Sequence, residues 1–373
     1  MISPCIPPAA DRCASAGGTS FIEQLTAFQK QRGQLFIYIG MRLINFPLII
    51  LLCLISLTSS HGQKLIPTTE GLGIAMESYP YPYPVEFLEL QIQNQPVKMA
   101  FMDIKPEKAN GKVVMLLHGK NFFGAYWKET IAFLSTHGYR VIVPDLPGFG
   151  KSSKPNLQYS FHMLASQARN LMNHLQIDRV AVLGHSMGGM VATRFALMFS
   201  ENTSHLILEN PIGLEDYSKK VPYVSVEEHY KDALQQTEEK IRNYHKQYYA
   251  TWKDAYEQYV QVHAQWLKSG EYPRLAWASA LTSDMIFTQP VVYEFIRIKV
   301  PTLLVIGQLD KTALGKNKVP DDVAESMGNY KSLGIKAAAT IPGATLVELD
   351  KVGHIPHFEA PEKFHQTILQ FLR

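Results

Sequence analysis

Along residues 85–104 apolar and polar side chains alternate, first over Val85–Gln93 and again over Val97–Ile104. A period of two belongs to strands with one buried face, and the short break at Asn94-Gln95 predicts an antiparallel hairpin. The texture then changes to short unbroken apolar runs at Val113–Leu117, Val141–Val143, Val180–Leu183, Leu206–Leu208, Leu303–Ile306 and Leu346–Leu349. Such runs suit strands buried on both faces of a parallel sheet. Helix-like segments separate most of them, at Trp127–Thr136, Phe161–Leu175, Gly188–Phe199 and Pro361–Leu372. The alternation predicts a mostly parallel, doubly wound α/β sheet entered through the hairpin.

One interval breaks this rhythm. Residues 212–299 contain no convincing strand, and Val226–Lys268 has a strongly helical composition. So long an insertion predicts a helical subdomain rather than a loop, between core segments 85–211 and 300–373. Eight aromatics lie between Tyr230 and Trp266; they could line a pocket, but a small core of their own is the first expectation for any one of them.

The N-terminal region has a different character. A short basic start at Met41-Arg42 leads into the apolar run Phe46–Leu57, interrupted only by Pro47 and Ser56, and then into Thr58–Gln63. This is the pattern of a secretory signal peptide over residues 41–62, and a run too short for a membrane-spanning helix. The expectation is an exported protein, periplasmic or secreted, with an uncleaved signal-anchor as the alternative. Residues 1–40 then read as an upstream extension with Met41 as the true start, and residues 63–84, rich in Pro, Tyr and Gly, as an extended lead-in. Cys5, Cys13 and Cys53 all precede residue 60, so a processed chain would contain no disulfide, thiolate metal site or cysteine nucleophile.

Composition adds mainly exclusions. The 373 residues are 46% apolar and 18% charged, with a net charge of +3, which fits a folded chain of one or two domains and not a disordered or polyanion-binding one. Removal of residues 1–62 takes with it Arg12, Lys30, Arg32 and Arg42 but only Asp11 and Glu23, so the charge falls to +1. No basic aromatic patch suggests nucleic acid, no glycine-rich loop has phosphate-cradle spacing, and no ligand set has metal spacing. Neither a metal nor an organic cofactor is expected.

The chemistry concentrates in Gly184-His185-Ser186-Met187-Gly188-Gly189, placed between a strand and a helix of small residues. A strand running directly into a helix forces a strained turn that lifts the serine oxygen clear of the sheet. A serine needs a base. His354, after the last strand, is the candidate, with His357 its near competitor. Asp310, at the end of the preceding strand, would hold the imidazole in its useful tautomer; Glu209 and Asp216 are weaker rivals. Two N–H groups should face the developing oxyanion, one from Met187 and one from the loop His118-Gly119-Lys120-Asn121, where Lys120 is the expected donor and Asn121 the alternative. His118 reads as a packing and hydrogen-bonding residue rather than a second base.

The order Ser186, Asp310, His354, together with Asp145-Leu-Pro-Gly-Phe-Gly150 after the second parallel strand, resembles the α/β-hydrolase superfamily over residues 85–373. The resemblance implies a core sheet with a helical cap inserted after the sixth strand. Members that open epoxides or remove halide usually carry Asp where this chain has Ser186. Proline iminopeptidases usually show Gly-Gly-Pro-Gly where it has Gly119-Lys-Asn-Phe122, and carbon–carbon bond hydrolases usually carry another glycine-rich loop there. The chain thus looks like a carboxylesterase-type member. The leading expectation is hydrolysis of a small-molecule acyl ester or lactone through an acyl-enzyme. Amide hydrolysis, carbon–carbon bond hydrolysis, cofactor-free perhydrolysis and a non-catalytic binding protein are the alternatives. Aromatics in the cap favour an acyl or aromatic group over a sugar or a highly charged substrate.

Overall fold

The computed structural model describes residues 71–373; the expected extension (1–40), signal peptide (41–62) and start of the lead-in (63–70) lie outside the described residues. The hairpin consists of β1 (Glu86–Ile92) and β2 (Gln95–Ile104), paired antiparallel. Its turn falls one residue earlier than expected, at Gln93-Asn94. Both residues have positive φ, 49° and 60°, the geometry of a tight hairpin turn that matches strand twist; Gln95 already pairs with Ile92.

The remaining strands are β3 (Val113–Leu117), β4 (Arg140–Pro144), β5 (Val180–His185), β6 (Thr203–Glu209), β7 (Thr302–Gly307) and β8 (Thr345–Leu349). They form one eight-stranded sheet in the order β1-β2-β4-β3-β5-β6-β7-β8, parallel from β4 onward. All of β5 and β7 is buried, which explains runs without alternation. Helices α1 (Lys128–Thr136), α2 (Phe161–His174) and α3 (Met187–Met198) follow β3, β4 and β5. Between β6 and β7 the chain passes through α4 (Val226–Leu234), α5 (Glu238–Lys246), α6 (Glu257–Trp266) and α7 (Tyr272–Thr288). After β7 come α8 (Asp321–Glu325) and α9 (Tyr330–Thr340), and after β8 come α10 (Pro356–Glu359) and α11 (Pro361–Leu372). Apolar side chains of α2, α3 and α9 pack on one face of the sheet, and those of α1 and α11 on the other.

The α4–α7 aromatics do not make a separate core. Tyr248, Tyr249, Tyr256 and Tyr259 join the cluster that contains Phe122, Tyr126 and Trp127, with Tyr249 and Tyr256 stacked at 3.9 Å. This ties the helical segment to the sheet domain by apolar burial, the main favourable term in folding.

The sharp turn from β5 into α3 depends on close backbone approach. A Cβ on Gly188 would overlap the carbonyl oxygens of Leu117 and His118 at the end of β3. Backbone cannot yield as a flexible side chain can, so Gly188→Ala should destabilise the fold by about 1–3 kcal/mol. A lowered midpoint in thermal or urea unfolding checks this; an unchanged midpoint would mean that β3 and α3 are less tightly apposed.

Candidate active site

Ser186, the first residue beyond β5, has φ 56° and ψ −121°. An L-residue adopts positive φ at a cost, and persists there only when its surroundings enforce it. The Ser186 amide donates to the Glu209 carbonyl (3.1 Å) and its carbonyl accepts from Gly189 N (2.9 Å). This pins the turn between β6 and α3 and leaves the hydroxyl to the other side.

Three sequence-derived residues meet there. His354 Nε2 lies 2.9 Å from Ser186 Oγ, and His354 Nδ1 lies 2.6 Å from Asp310 Oδ2. All three side chains are buried. An ionised carboxylate only accepts, so the imidazole carries its proton on Nδ1 and donates it to Asp310; Nε2 then accepts from the serine O–H. Asp310 is itself held by two further donors. Asn210 Nδ2 donates to Oδ2 at 2.7 Å and Thr312 N to Oδ1 at 2.8 Å. Asn210 was not singled out in the sequence. It stands one residue past β6, beside the end of β7, and its own Oδ1 accepts from Gly307 N (2.8 Å).

The rivals are engaged elsewhere. His357 donates its backbone N–H and its Nδ1–H to Glu209 Oε1, both at 2.8 Å. Asp216 accepts from Ser218 and Tyr293. His118 accepts from Leu146 N at Nε2 (3.1 Å) and donates from Nδ1 to Gly119 O (2.9 Å), and burial holds it below its usual pKa. That hydrogen-bonding role was part of the expectation for it.

His354 is held by two further groups. Its backbone N–H donates to Tyr248 O (2.6 Å), and the Tyr248 ring stacks on the imidazole with centroids 5.0 Å apart. Behind it, His185 donates from Nε2 to the His354 carbonyl (2.8 Å). His185 Nδ1 accepts from the Tyr126 hydroxyl (3.1 Å), which in turn accepts from Gly119 N (3.1 Å). Burial pushes His185 well below the ordinary histidine range, so it stays neutral. This relay ties the loop after β3 to the loop after β8, and both to the serine turn.

That loop after β3 lies against the serine: a Cβ on Gly119 would come within 3.2 Å of Ser186 Cβ. Phe122 N closes a turn on Gly119 O (3.1 Å), leaving Lys120 and Asn121 as its central residues. Among the described residues, the amides of Lys120, Asn121 and Met187 donate to no protein acceptor, as suits donors kept for a ligand. The Asn121 side chain donates to the Tyr248 hydroxyl (2.7 Å). Lys120 reaches across to α7, where Nζ donates to Ser279 O (2.8 Å), Ser279 Oγ (3.0 Å) and Thr282 Oγ1 (3.2 Å). With no carboxylate beside it, burial pulls its ammonium down to about 7.

A cavity of about 960 Å³ extends from Lys120, Asn121 and Tyr248 between the β3 loop, α4–α7 and the loop after Asp310. Among the described residues no cluster of metal-ligating side chains occurs, and no helix is long and apolar enough to cross a membrane.

A family model described as alpha/beta hydrolase fold matches residues 112–361. The chain belongs to this family. A probable hydrolytic enzyme from Pseudomonas aeruginosa PAO1 is similar over 82% of this chain and 99% of its own, with 47% identity and a TM-score of 0.80. A 2-hydroxy-6-oxo-6-(2'-aminophenyl)hexa-2,4-dienoic acid hydrolase from Metapseudomonas resinovorans is 30% identical over 71% of this chain and 86% of its own length. An esterase from Exiguobacterium antarcticum, 23% identical over 77% of this chain and 98% of its own with a TM-score of 0.58, shares the fold. Similarity to an uncharacterized protein of Mycobacterium tuberculosis is local: 38% identity over 105 residues, 28% of this chain and 30% of the relative. The α/β-hydrolase fold, with its antiparallel N-terminal hairpin and otherwise parallel sheet, is therefore shown, and with it an enzyme of the hydrolase class.

Proposed function

We propose that this α/β-hydrolase is a serine esterase that cleaves a carboxylic ester or lactone through an acyl-enzyme. The observation that carries the reading is the 2.9 Å contact of Ser186 Oγ with an imidazole whose other nitrogen is fixed on a buried carboxylate. Ser186 attacks the carbonyl carbon while His354 Nε2 takes the hydroxyl proton, and Asp310 stabilises the imidazolium that forms. The carbonyl oxygen, now negative, receives the amide protons of Met187 and Lys120, each such donor contributing about 2.7–4 kcal/mol to the transition state. His354 then protonates the departing alcohol. Water enters, loses a proton to His354 and attacks the acyl carbonyl, and Ser186 leaves protonated with release of the acid. The chemistry requires no metal or cofactor.

The test is a pre-steady-state burst of p-nitrophenol from a short-chain p-nitrophenyl ester, with fluorophosphonate labelling as the second readout. A burst with stoichiometric labelling is expected. Absence of both would favour a hydrolase-like binding protein.

A second reading, carbon–carbon bond hydrolysis on the same three residues, is supported by the 30%-identical dienoic acid hydrolase. Turnover of a 2-hydroxy-6-oxohexa-2,4-dienoate faster than any ester in a panel would favour it.

A further inference from the structure

The cavity that opens at Lys120, Asn121 and Tyr248 has a strongly unbalanced wall. Its lining includes Lys120, Lys240, Lys311, Lys316 and Lys318, against one carboxylate, Asp232. That carboxylate is already taken, since Lys318 Nζ lies 3.0 Å from Asp232 Oδ2. Among the described residues, none of the other four lysines forms an ion pair with an acidic side chain. Lys120 spends its donors on Ser279 and Thr282 of α7, Lys240 on Gln235 O, and Lys316 on Lys311 O and Met327 O. These oxygens are neutral, so they satisfy hydrogen bonds without cancelling charge. The lining histidines His229, His245 and His263 are held below their ordinary pKa by burial and supply no negative charge either.

Three of the lysines come from one stretch, Lys311–Lys318, which directly follows Asp310. Lys120 belongs to the loop that lies against Ser186 through Gly119. The positive wall is therefore built on the same loops that position the reacting groups. Low-dielectric walls around one sign of charge focus the field into a cleft and raise the local concentration of the opposite charge. Ammonium groups gathered around one cavity repel one another, and an anion entering it relieves that repulsion.

We infer that the cavity selects substrates bearing a negative charge away from the scissile bond, a carboxylate being the simplest form, with Lys120 and the Lys311–Lys318 loop as its counter-charges. The inference rests on the serine-esterase reading above and narrows it to a substrate class. It also reverses the expectation, drawn from the aromatics of the helical segment, that a highly charged substrate is disfavoured.

The experiment compares matched esters on the full chain. On the acyl side, mono-p-nitrophenyl glutarate is set against p-nitrophenyl pentanoate; on the alcohol side, 4-acetoxybutyrate is set against pentyl acetate. In at least one pair kcat/KM for the anion should exceed that of its neutral partner by about tenfold or more. The preference should shrink as ionic strength rises and the charges are screened. It should also fall at least about fivefold in Lys311→Gln/Lys316→Gln and in Lys120→Met, read as the ratio within each pair. If a variant fails to fold, the salt series on the unaltered protein decides. Equal or better turnover of the neutral ester in both pairs, or a preference indifferent to salt, overturns the anionic-substrate inference and leaves the esterase reading standing. Turnover of no ester, with no fluorophosphonate label, removes the esterase reading and this inference with it.

Discussion

Replacement of Ser186 by alanine is expected to lower kcat for a p-nitrophenyl ester by about 10⁴–10⁶-fold and to abolish the burst and the fluorophosphonate label together. The serine hydroxyl is the group on which the imidazole acts: Oγ lies 2.9 Å from His354 Nε2, and loss of the oxygen removes the only bond that the acyl group could form in this scheme. The fold should survive. The backbone strain at φ 56° is enforced by the bonds of the Ser186 amide and carbonyl to Glu209 and Gly189, which alanine keeps. The unfolding midpoint should therefore stay close to that of the unaltered protein, so that lost turnover reports chemistry and not folding. Turnover retained within about tenfold, still dependent on His354, would mean that the imidazole activates water directly and that no acyl-serine forms.

Much of this arrangement could be read before any coordinates. The strands were visible because β3, β5 and β7 are buried on both faces, and a run such as Leu303–Ile306 has no other economical explanation. Ser186, Asp310 and His354 were visible because each follows the C-terminal end of a parallel strand, where open α/β sheets place their chemistry. The hairpin turn was misplaced by one residue because Asn94 carries a turn preference that local sequence shows, whereas the positive φ of Gln93 is imposed by pairing. Helix α9 left little trace. Its Gly334 and alanines give weak amphipathicity, and it packs by close approach, a Cβ on Gly334 coming within 3.0 Å of Ile306. The capping bond from Ser332 N to the Asn329 side chain (3.3 Å) was its one local signal.

The groups that refine the site were illegible for a different reason. Tyr248 stacks on His354 from 106 positions away, Asn210 meets Asp310 across 100, and Lys120 meets Ser279 across 159. Such contacts follow from how the α4–α7 segment folds back over the sheet, and no periodicity encodes them. The lysines at 311, 316 and 318 were not singled out, because only the tertiary path shows that their loop walls a cavity.

Asp310→Asn tests the second half of the relay, and the expected loss in kcat is about 10⁴-fold with only a minor change in KM. Three N–H donors converge on this carboxylate: His354 Nδ1 and Asn210 Nδ2 on Oδ2, and Thr312 N on Oδ1. A carboxylate satisfies all three because both its oxygens accept, whereas an amide has one acceptor and one donor end. If the amide oxygen turns toward His354 and Asn210, its NH₂ confronts the Thr312 N–H. If it turns the other way, NH₂ confronts both the Asn210 amide and the imidazole, which must then move its proton from Nδ1 to Nε2. In that tautomer Nε2 no longer accepts from Ser186, and the serine loses its base. The second arrangement confines the conflict to side chains, which can rotate or change tautomer, where the first sets the amide against the backbone N–H of Thr312, whose acceptor in the structure is Asp310 Oδ1. A proton spectrum distinguishes this from general disorder: the far-downfield Nδ1–H resonance of the unaltered protein should vanish while the rest of the dispersed spectrum persists. A variant that keeps its rate within about tenfold would show that orientation of His354 rests on Tyr248 and His185 alone, with the carboxylate a bystander.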